Sequence, residues 1–238
     1  MSAPASEDRH DGRRAAVLAI DTATSRVVLG LATPRGDAIG LSWFPADHRH
    51  GEHLLASIGR LLGENNVRRS RLRGIVVGTG PGAFTGLRVG IATAKGLAHA
   101  LQIPIAGVPT ADALIAAAAR TGEVPASRIV LLLPAGPNDR VVVRRGMPPR
   151  LLPGGAEPPL GDDDVLVAVD LDGRAPAGAV RRGERARDDF GLELLRLGAQ
   201  RLGSGDPDDL ASLVPEYVTL PRGVAATTGE VAWSPALR

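Results

Sequence analysis

The chain has 238 residues, of which 28 are Lys or Arg and 26 are Asp or Glu. The net charge is therefore small although the pI is 9.8. The high pI reflects a scarcity of groups that titrate near neutral pH, not a strongly basic protein. The absence of cysteine excludes disulfide bonds, thiolate metal sites and cysteine nucleophiles. The polar N-terminus lacks the apolar core of a signal peptide and no apolar run is long enough to span a membrane, so we expect a cytoplasmic protein without membrane contact.

Short apolar runs separated by turns predict three successive strands in the first part of the chain. Residues 1–14 are polar and are expected to be a disordered arm. The three runs lie at 15–20, 27–32 and 38–44. From about Gly51 the apolar spacing changes to i, i+4, i+7 and i+8, which predicts an amphipathic helix.

The following segments alternate between strand and helix. A strand is predicted at 74–77, a second helix at 85–101, a further strand at 103–108, and an alanine-rich helix at 110–120. The resulting order β-β-β-α-β-α-β-α predicts an α/β domain with a mixed sheet.

The pattern is weaker beyond residue 121 and resembles a reduced copy of the first half. Strands are predicted at 129–133, 140–144 and 165–169, a helix at 190–202, loops at 146–164 and 170–187, and a last ordered piece at 214–218. We therefore expect an arm at 1–14, a first lobe at 15–120, a degenerate second lobe at 121–220 and a tail at 221–238.

A glycine-rich corner follows the predicted strand at 74–77. Gly80 and Gly82 can adopt positive φ, and the free N–H groups of the next helix point toward them. Together with Asp21 and Thr22 at the end of the first strand, they form a candidate phosphate pocket. A tight corner beside a turn closed by Asp21 explains the same residues, and the spacing leaves both interpretations open.

Small residues recur along one face of the second predicted helix. Gly86, Gly90 and Ala94 lie at i, i+4 and i+8, which lets another backbone approach closely. The neighbour could be internal or could belong to a partner chain.

Two polar clusters have weaker chemical signatures. Residues 47–53 contain three histidines, but their spacing does not suit a metal site on a helix and predicts a polar helix entrance. Four arginines could reach the phosphates of a nucleic acid or form a solvated connection, namely Arg68, Arg69, Arg71 and Arg73.

Four segments in the right order together resemble the bacterial TsaB (YeaZ) family of tRNA threonylcarbamoyladenosine biosynthesis. The most specific is 78–98, with sequence GTGPGAFTGLRVGIATAKGLA, and the others lie at 17–24, 50–55 and 103–108. The resemblance implies an actin-like, sugar-kinase/Hsp70-like (ribonuclease H-like) α/β fold of two lobes, the second degenerate.

The resemblance also implies a role. A TsaB-type protein is a non-catalytic scaffold that binds and activates TsaD, together with TsaE, for threonylcarbamoyl transfer to the adenosine beside the anticodon of ANN-decoding tRNAs. The resemblance implies that no cofactor is tightly bound and that the chain contacts tRNA only through the complex. It also allows a nucleotide at the interface with TsaD, and a homodimer.

The resemblance places partner contacts on the first two helices. We expect the small strip of the second helix to pack against the first helix and to share a surface with TsaD or with a second copy. The expected interface consists of His53, Leu54, Ser57, Gly86, Leu87, Arg88, Val89, Gly90 and Ala94.

Catalytic relatives of TsaD type carry two metal-binding histidines that correspond here to Thr110 and Leu114, so the resemblance implies neither a metal site nor a catalytic residue. Two other functions remain open. One is an ATP-dependent small-molecule kinase that uses Asp21, Gly80 and Gly82; the other is a metalloprotease of the same fold.

Overall fold

The computed structural model describes residues 15–46, 50–205 and 207–218. The predicted N-terminal arm at 1–14, residues 47–49 of the polar helix entrance and the predicted tail at 221–238 lie outside the described residues.

The elements of the first half occur in the predicted order β-β-β-α-β-α-β-α, which confirms it. Their bounds are β1 Ala16–Asp21, β2 Arg26–Ala32, β3 Ala38–Pro45, α1 His50–Glu64, a 3-10 turn Arg69–Arg71, β4 Leu72–Gly78, α2 Phe84–Leu101, β5 Ile105–Val108 and α3 Thr110–Gly122.

The first sheet has five strands in the order β3-β2-β1-β4-β5. Strand β1 is antiparallel to β2 and parallel to β4, so the sheet is mixed as expected. Every residue of β1 is buried because helices cover both faces of the sheet. Helices α1 and α2 pack against one face of this sheet. The core cluster that they form with it includes Leu18, Leu54 and Ile91.

The second half repeats this pattern with one strand fewer. Its elements are β6 Ile129–Ala135, β7 Asp139–Val143, β8 Arg150–Leu152, β9 Val165–Ala168 and α4 Ala177–Gly203. The strand order is β8-β7-β6-β9, with β6 antiparallel to β7 and parallel to β9. The second half is therefore a reduced copy of the first, as its sequence indicates.

The predicted loop at 170–187 is wrong from residue 177 onward, because helix α4 begins at Ala177 and not at residue 190. The early turns of α4 bury only small residues, Ala179, Gly183 and Ala186, and therefore lack the large apolar stripe that identifies a helix. A side chain at Gly183 would overlap with the carbonyl oxygen of Ala168, so these turns lie directly against the end of β9.

The predicted loop at 146–164 is also wrong in part, because it contains strand β8. Arg150–Leu152 pairs with β7 in antiparallel fashion, and Leu152 is buried. A strand of this length among prolines has too few residues to show an alternating pattern.

Helices α3 and α4 lie between the two sheets, where one core cluster contains residues of both, including Val76 and Leu131. The second half of α4 reaches the first sheet, since a side chain at Gly198 would overlap with Val76. The segment 207–218 also returns to the first sheet, and the Glu216 N–H donates to the Thr79 carbonyl at 2.8 Å. The domain boundary after residue 120 stays a prediction.

Among the helices of the described ranges, none combines the length and the apolar character that crossing a membrane requires.

Candidate functional site

Asp21 lies at the end of β1 and its side chain is entirely buried. Its carboxylate accepts hydrogen bonds from the Thr110 hydroxyl at 2.6 Å and from the Ala23 N–H at 2.8 Å. Burial raises the pKa of Asp21 to about 6, and the two hydrogen bonds oppose that rise only in part. A side chain at Gly78 would overlap with this carboxylate. The buried side chain of Asp21, at the end of β1, therefore packs against the end of β4 and is hydrogen-bonded to the start of α3.

The glycine-rich corner is packed against its own chain. The Gly80 N–H donates to the Thr110 hydroxyl at 3.0 Å, and the Ala83 N–H donates to the Ala23 carbonyl at 2.7 Å. Gly80 has a positive φ of 106°, as expected, whereas Gly82 is not among the described glycines with positive φ. Gly82 is needed instead because a side chain there would overlap with Ala23.

These contacts favour the tight corner, the other interpretation that the sequence left open, and phosphate binding at these residues stays a prediction. The remaining member, Thr22, donates its hydroxyl hydrogen to the Gly86 carbonyl at 2.7 Å. The Gly80 N–H, the Ala83 N–H and the Thr22 hydroxyl are therefore hydrogen-bonded within the chain.

The small strip of α2 packs against the turn that follows β1, and its contact with a partner stays a prediction. Side chains at Gly86 and Gly90 would each overlap with Thr22, and Ala94 is completely buried. The strip is small because α2 crosses directly over the turn that follows β1. Its close neighbour is internal.

The other residues of the expected interface differ in exposure. Leu54 and Leu87 are buried, Ser57 and Val89 are half-buried, and His53 and Arg88 are exposed. Arg88 is engaged within the chain, because its guanidinium lies 3.7 Å from the centre of the Phe84 ring and its Nε donates to the Tyr217 hydroxyl at 2.9 Å. Contact of any of the nine residues with a partner stays a prediction.

The outer side of α1 and α2 carries small residues that sequence reasoning missed. Side chains added at Gly59, Gly63 and Gly96 would meet nothing within 4 Å among the described residues, and Leu55, one helical turn before Gly59, is 59% exposed. Both helices cover the same side of the first sheet, and we call these outward-facing positions of α1 and α2 the open glycine face. The signal was present in the sequence, since Leu55, Gly59 and Gly63 recur at i, i+4 and i+8 outside the buried stripe of α1.

The open glycine face has no explanation within the described part of the chain. A glycine inside a helix costs about 1 kcal/mol of stability relative to alanine. Buried glycines such as Gly90 avoid an overlap, but nothing among the described residues approaches Gly59 or Gly96. These positions suit the close approach of another backbone.

A cleft of about 650 Å³ lies between the two halves, lined by the turn after β1, the start of α2, the end of β6 and residues 216–218. Ser25, Asp170 and Arg187 join the two halves there, and we call them the latch. Asp170 accepts a hydrogen bond from the Ser25 N–H at 2.7 Å and pairs with the Arg187 guanidinium. Sequence reasoning missed the latch because Ser25 and Asp170 are 145 positions apart.

A larger groove of about 910 Å³ lies between α3 and α4. Most of its cationic side chains already have carboxylate partners. Arg120 pairs with Asp189 at 3.1 Å, Arg196 with Glu193 at 2.8 Å and Arg201 with Asp208 at 3.0 Å. These ion pairs connect α3, α4 and the segment after α4.

Thr110 and Leu114, which occupy the positions of the metal-binding histidines in the resemblance, both have structural roles. Leu114 is completely buried in the core between the sheets, and Thr110 bridges Asp21 and Gly80. No group of three metal-ligating side chains occurs within residues 15–46, 50–205 and 207–218.

Comparison with known proteins gives partial sequence matches. A family model described as TsaD, tRNA N6-adenosine threonylcarbamoyltransferase, matches residues 44–148. An uncharacterized protein of Mycobacterium tuberculosis is 43% identical over 100 residues, which cover 41% of this chain and 47% of that protein. The tRNA threonylcarbamoyladenosine biosynthesis protein TsaB of Bacillus subtilis is 36% identical over 101 residues, which cover 42% of this chain and 43% of that protein. The matched part of the chain spans less than half the length of either relative.

Among solved structures, YeaZ from Pseudomonas aeruginosa superposes with a TM-score of 0.66 at 24% sequence identity, over 85% of this chain and 99% of that chain. This similarity confirms the predicted fold class, an actin-like (ribonuclease H-like) α/β fold with two mixed sheets.

Proposed function

We propose that the chain is a member of the TsaB (YeaZ) family and an accessory subunit of tRNA threonylcarbamoyladenosine biosynthesis, which the partial sequence matches and the shared fold support. In this proposal it has no catalytic site of its own and acts by binding and activating a TsaD-type threonylcarbamoyltransferase, together with TsaE. The substrate of the assembly is the adenosine beside the anticodon of ANN-decoding tRNAs.

The observation that carries the proposal is the open glycine face of α1 and α2. Helical glycines that face open space lower the stability of the isolated chain, and a partner helix that packs against them offsets this cost. The exposed Leu55 beside them adds apolar area that a partner would bury. A second copy of the chain would use the same face.

The packed corner supports a scaffold over a kinase. A kinase of this fold needs a carboxylate and glycine N–H groups that face the nucleotide in the cleft. Here Thr22 and Gly82 line the cleft, but Asp21 and Gly80 do not, and Gly80 donates its N–H to Thr110. Likewise, Leu114 packs in the core where a metalloprotease of this fold would need a metal ligand.

Leucine substitutions on the open glycine face test the partner contact. We expect Gly59→Leu and Gly96→Leu to reduce co-purification with the TsaD-type transferase at least about tenfold, since a bulky side chain separates the two backbones. The matched control is Gly203→Leu, which lies at the end of α4 and is equally open. Circular dichroism and thermal melting should show that all three variants stay folded. Unchanged co-purification of both face variants would contradict the proposed contact.

Reconstitution tests the function itself. The TsaD-type transferase, the ATPase subunit TsaE and a TsaC-type enzyme, which forms the adenylate in this pathway, are incubated with unmodified ANN-decoding tRNA, with and without this chain. Modified adenosine is then quantified by mass spectrometry. We expect modification to depend on the chain. Equal modification without it would refute the proposal, and ATP turnover by the chain alone would favour the kinase.

A further inference from the structure

A compact group of arginines lies between α1 and β4, at the end of the first sheet opposite the glycine-rich corner. It spans the 3-10 turn Arg69–Arg71 and the first residues of β4. We call it the arginine turn. Its members are Arg68, Arg69, Arg71 and Arg73, of which Arg71 is half-buried and the others are exposed.

The charge of three of these arginines is not neutralised locally. Arg69, Arg71 and Arg73 have no carboxylate within 4.0 Å in the part of the chain that the structure describes. Among the described residues, the guanidinium of Arg73 donates to the carbonyls of Ser70 and Leu72 alone, at 3.4 and 3.5 Å. Some other arginines of the described residues do have an Asp or Glu partner, such as Arg120, Arg144, Arg187, Arg196 and Arg201.

A β-bulge directs Arg73 toward solvent. Ala16 of β1 lies opposite Leu72, but the next residue, Val17, lies opposite Gly74, so Arg73 is an extra residue in β4. The bulge allows Leu72 and Ile75 to enter the same core cluster while Arg73 remains exposed. Bulges commonly redirect one side chain. Here the bulge exposes Arg73, the third arginine of the turn that has no carboxylate partner among the described residues.

The chemistry of the patch suits phosphate more than protein or lipid. Guanidinium groups bind phosphate oxygens through paired hydrogen bonds. Protein interfaces usually rely on buried aromatic or apolar anchors, and surface-bound membrane segments insert apolar side chains. The large apolar side chains that are exposed in the described residues lie outside the turn, and Leu55 is the nearest in sequence.

We propose that the arginine turn binds the phosphate backbone of the tRNA substrate, so that this subunit contacts tRNA directly. This inference rests on the proposed function and extends it, because the family resemblance implies tRNA contact only through the complex. Each guanidinium that neutralises a phosphate releases counterions, which makes the contact measurable through its salt dependence.

The test compares two triple variants of the full chain. Arg69→Gln, Arg71→Gln and Arg73→Gln are combined in one variant; Arg150→Gln, Arg181→Gln and Arg185→Gln are combined in the control. The control residues are also exposed and have no carboxylate partner within the described ranges. Binding of fluorescently labelled unmodified tRNA is measured by anisotropy over a series of KCl concentrations, for the chain alone and for its complex with the transferase.

We expect the arginine-turn variant to bind tRNA about tenfold more weakly at moderate salt, with a slope of log K against log salt that is smaller by about 2. The control should retain the slope of the wild-type chain. Thermal melting and size-exclusion chromatography should show that both variants fold and still bind the transferase.

An unchanged slope in the arginine-turn variant would overturn the inference, as would wild-type protein that adds nothing to tRNA binding. A variant that loses the transferase while the chain alone keeps its wild-type tRNA affinity would also overturn it, because the turn would then bind protein. Failure of the wild-type chain to support tRNA modification would refute the proposed function, whereas the binding comparison on the chain alone would still decide the role of the arginines.

Discussion

Asp21 illustrates how the environment of one residue changes its role. The sequence places it after an apolar strand, where it could face a ligand, yet the folded chain buries it completely between Thr110 and Gly78. Burial of a carboxylate without a cationic partner favours the protonated form. Asp21 is therefore a structural group whose ionisation costs stability.

We expect this cost to appear as a pH dependence of stability. The Asp21 carboxyl titrates near the ordinary aspartate pKa of 3.8 in the unfolded chain and near 6 in the folded chain, so the folded state binds the proton more tightly. The contribution of Asp21 to the free energy of unfolding is thus highest below about pH 4 and falls by about 3 kcal/mol as the pH rises through 6.

Urea denaturation of the wild-type chain and of Asp21→Asn between pH 4 and pH 7 measures this effect, because asparagine does not titrate. The stability of the variant relative to wild type should rise by about 2 kcal/mol over this range. A difference between the two proteins that does not change with pH would show that the pKa of Asp21 is not raised.

Helix α2 has two faces of small residues, and the elements packed around it decide their roles. Gly86 and Gly90 lie against Thr22 on the inner face, whereas Gly96 on the outer face meets nothing within 4 Å among the described residues. The same residue type thus permits internal packing on one side and leaves room for a partner on the other.

The two faces should respond oppositely to alanine. We expect Gly90→Ala to lower the free energy of unfolding by about 2 kcal/mol, because the added methyl group overlaps with the Thr22 side chain. Gly96→Ala should raise the free energy of unfolding by about 0.5 to 1 kcal/mol through its higher helix propensity. Urea denaturation measures both changes, and destabilisation by Gly96→Ala would show that the outer face is packed.

At the scale of the whole molecule, the two halves are held together by the latch as well as by the shared core of α3 and α4. The Asp170 and Arg187 side chains are only 11% and 16% exposed, so their ion pair is largely shielded from solvent. The segment 207–218 adds a further connection, because Asp208 accepts a hydrogen bond from the Gly107 N–H at 2.6 Å. These contacts favour one fixed arrangement of the two halves around the cleft.

Breaking the latch should loosen the cleft without unfolding the sheets. We expect Asp170→Ala to lower the free energy of unfolding by about 2 to 4 kcal/mol, because Arg187 would keep its burial and lose its partner. Hydrogen exchange of the Ser25 amide should accelerate, since that N–H donates to Asp170. Asp172→Ala, at an exposed position on the same loop, serves as the control. Unchanged exchange at Ser25 would show that the latch does not close the cleft.

The sequence by itself determined the order of strands and helices in the first half and the family resemblance, because apolar periodicity and the motif at 78–98 are local features. The sequence did not predict the start of α4, because its first turns pack against Ala168 through small residues. Small residues alone do not form the apolar stripe that indicates a helix. Asp21 was correctly placed at the end of β1, but its burial depends on Thr110, 89 positions away.

Only the tertiary structure decided which small face of α2 is internal, which residues form the latch and which groups of the glycine corner are hydrogen-bonded within the chain. Each of these depends on side chains that are distant in sequence, such as Thr22 beside Gly90 and Ser25 beside Asp170. Spacing along the chain reports how residues are arranged on one element, whereas the neighbour that each face meets is set by how the elements pack.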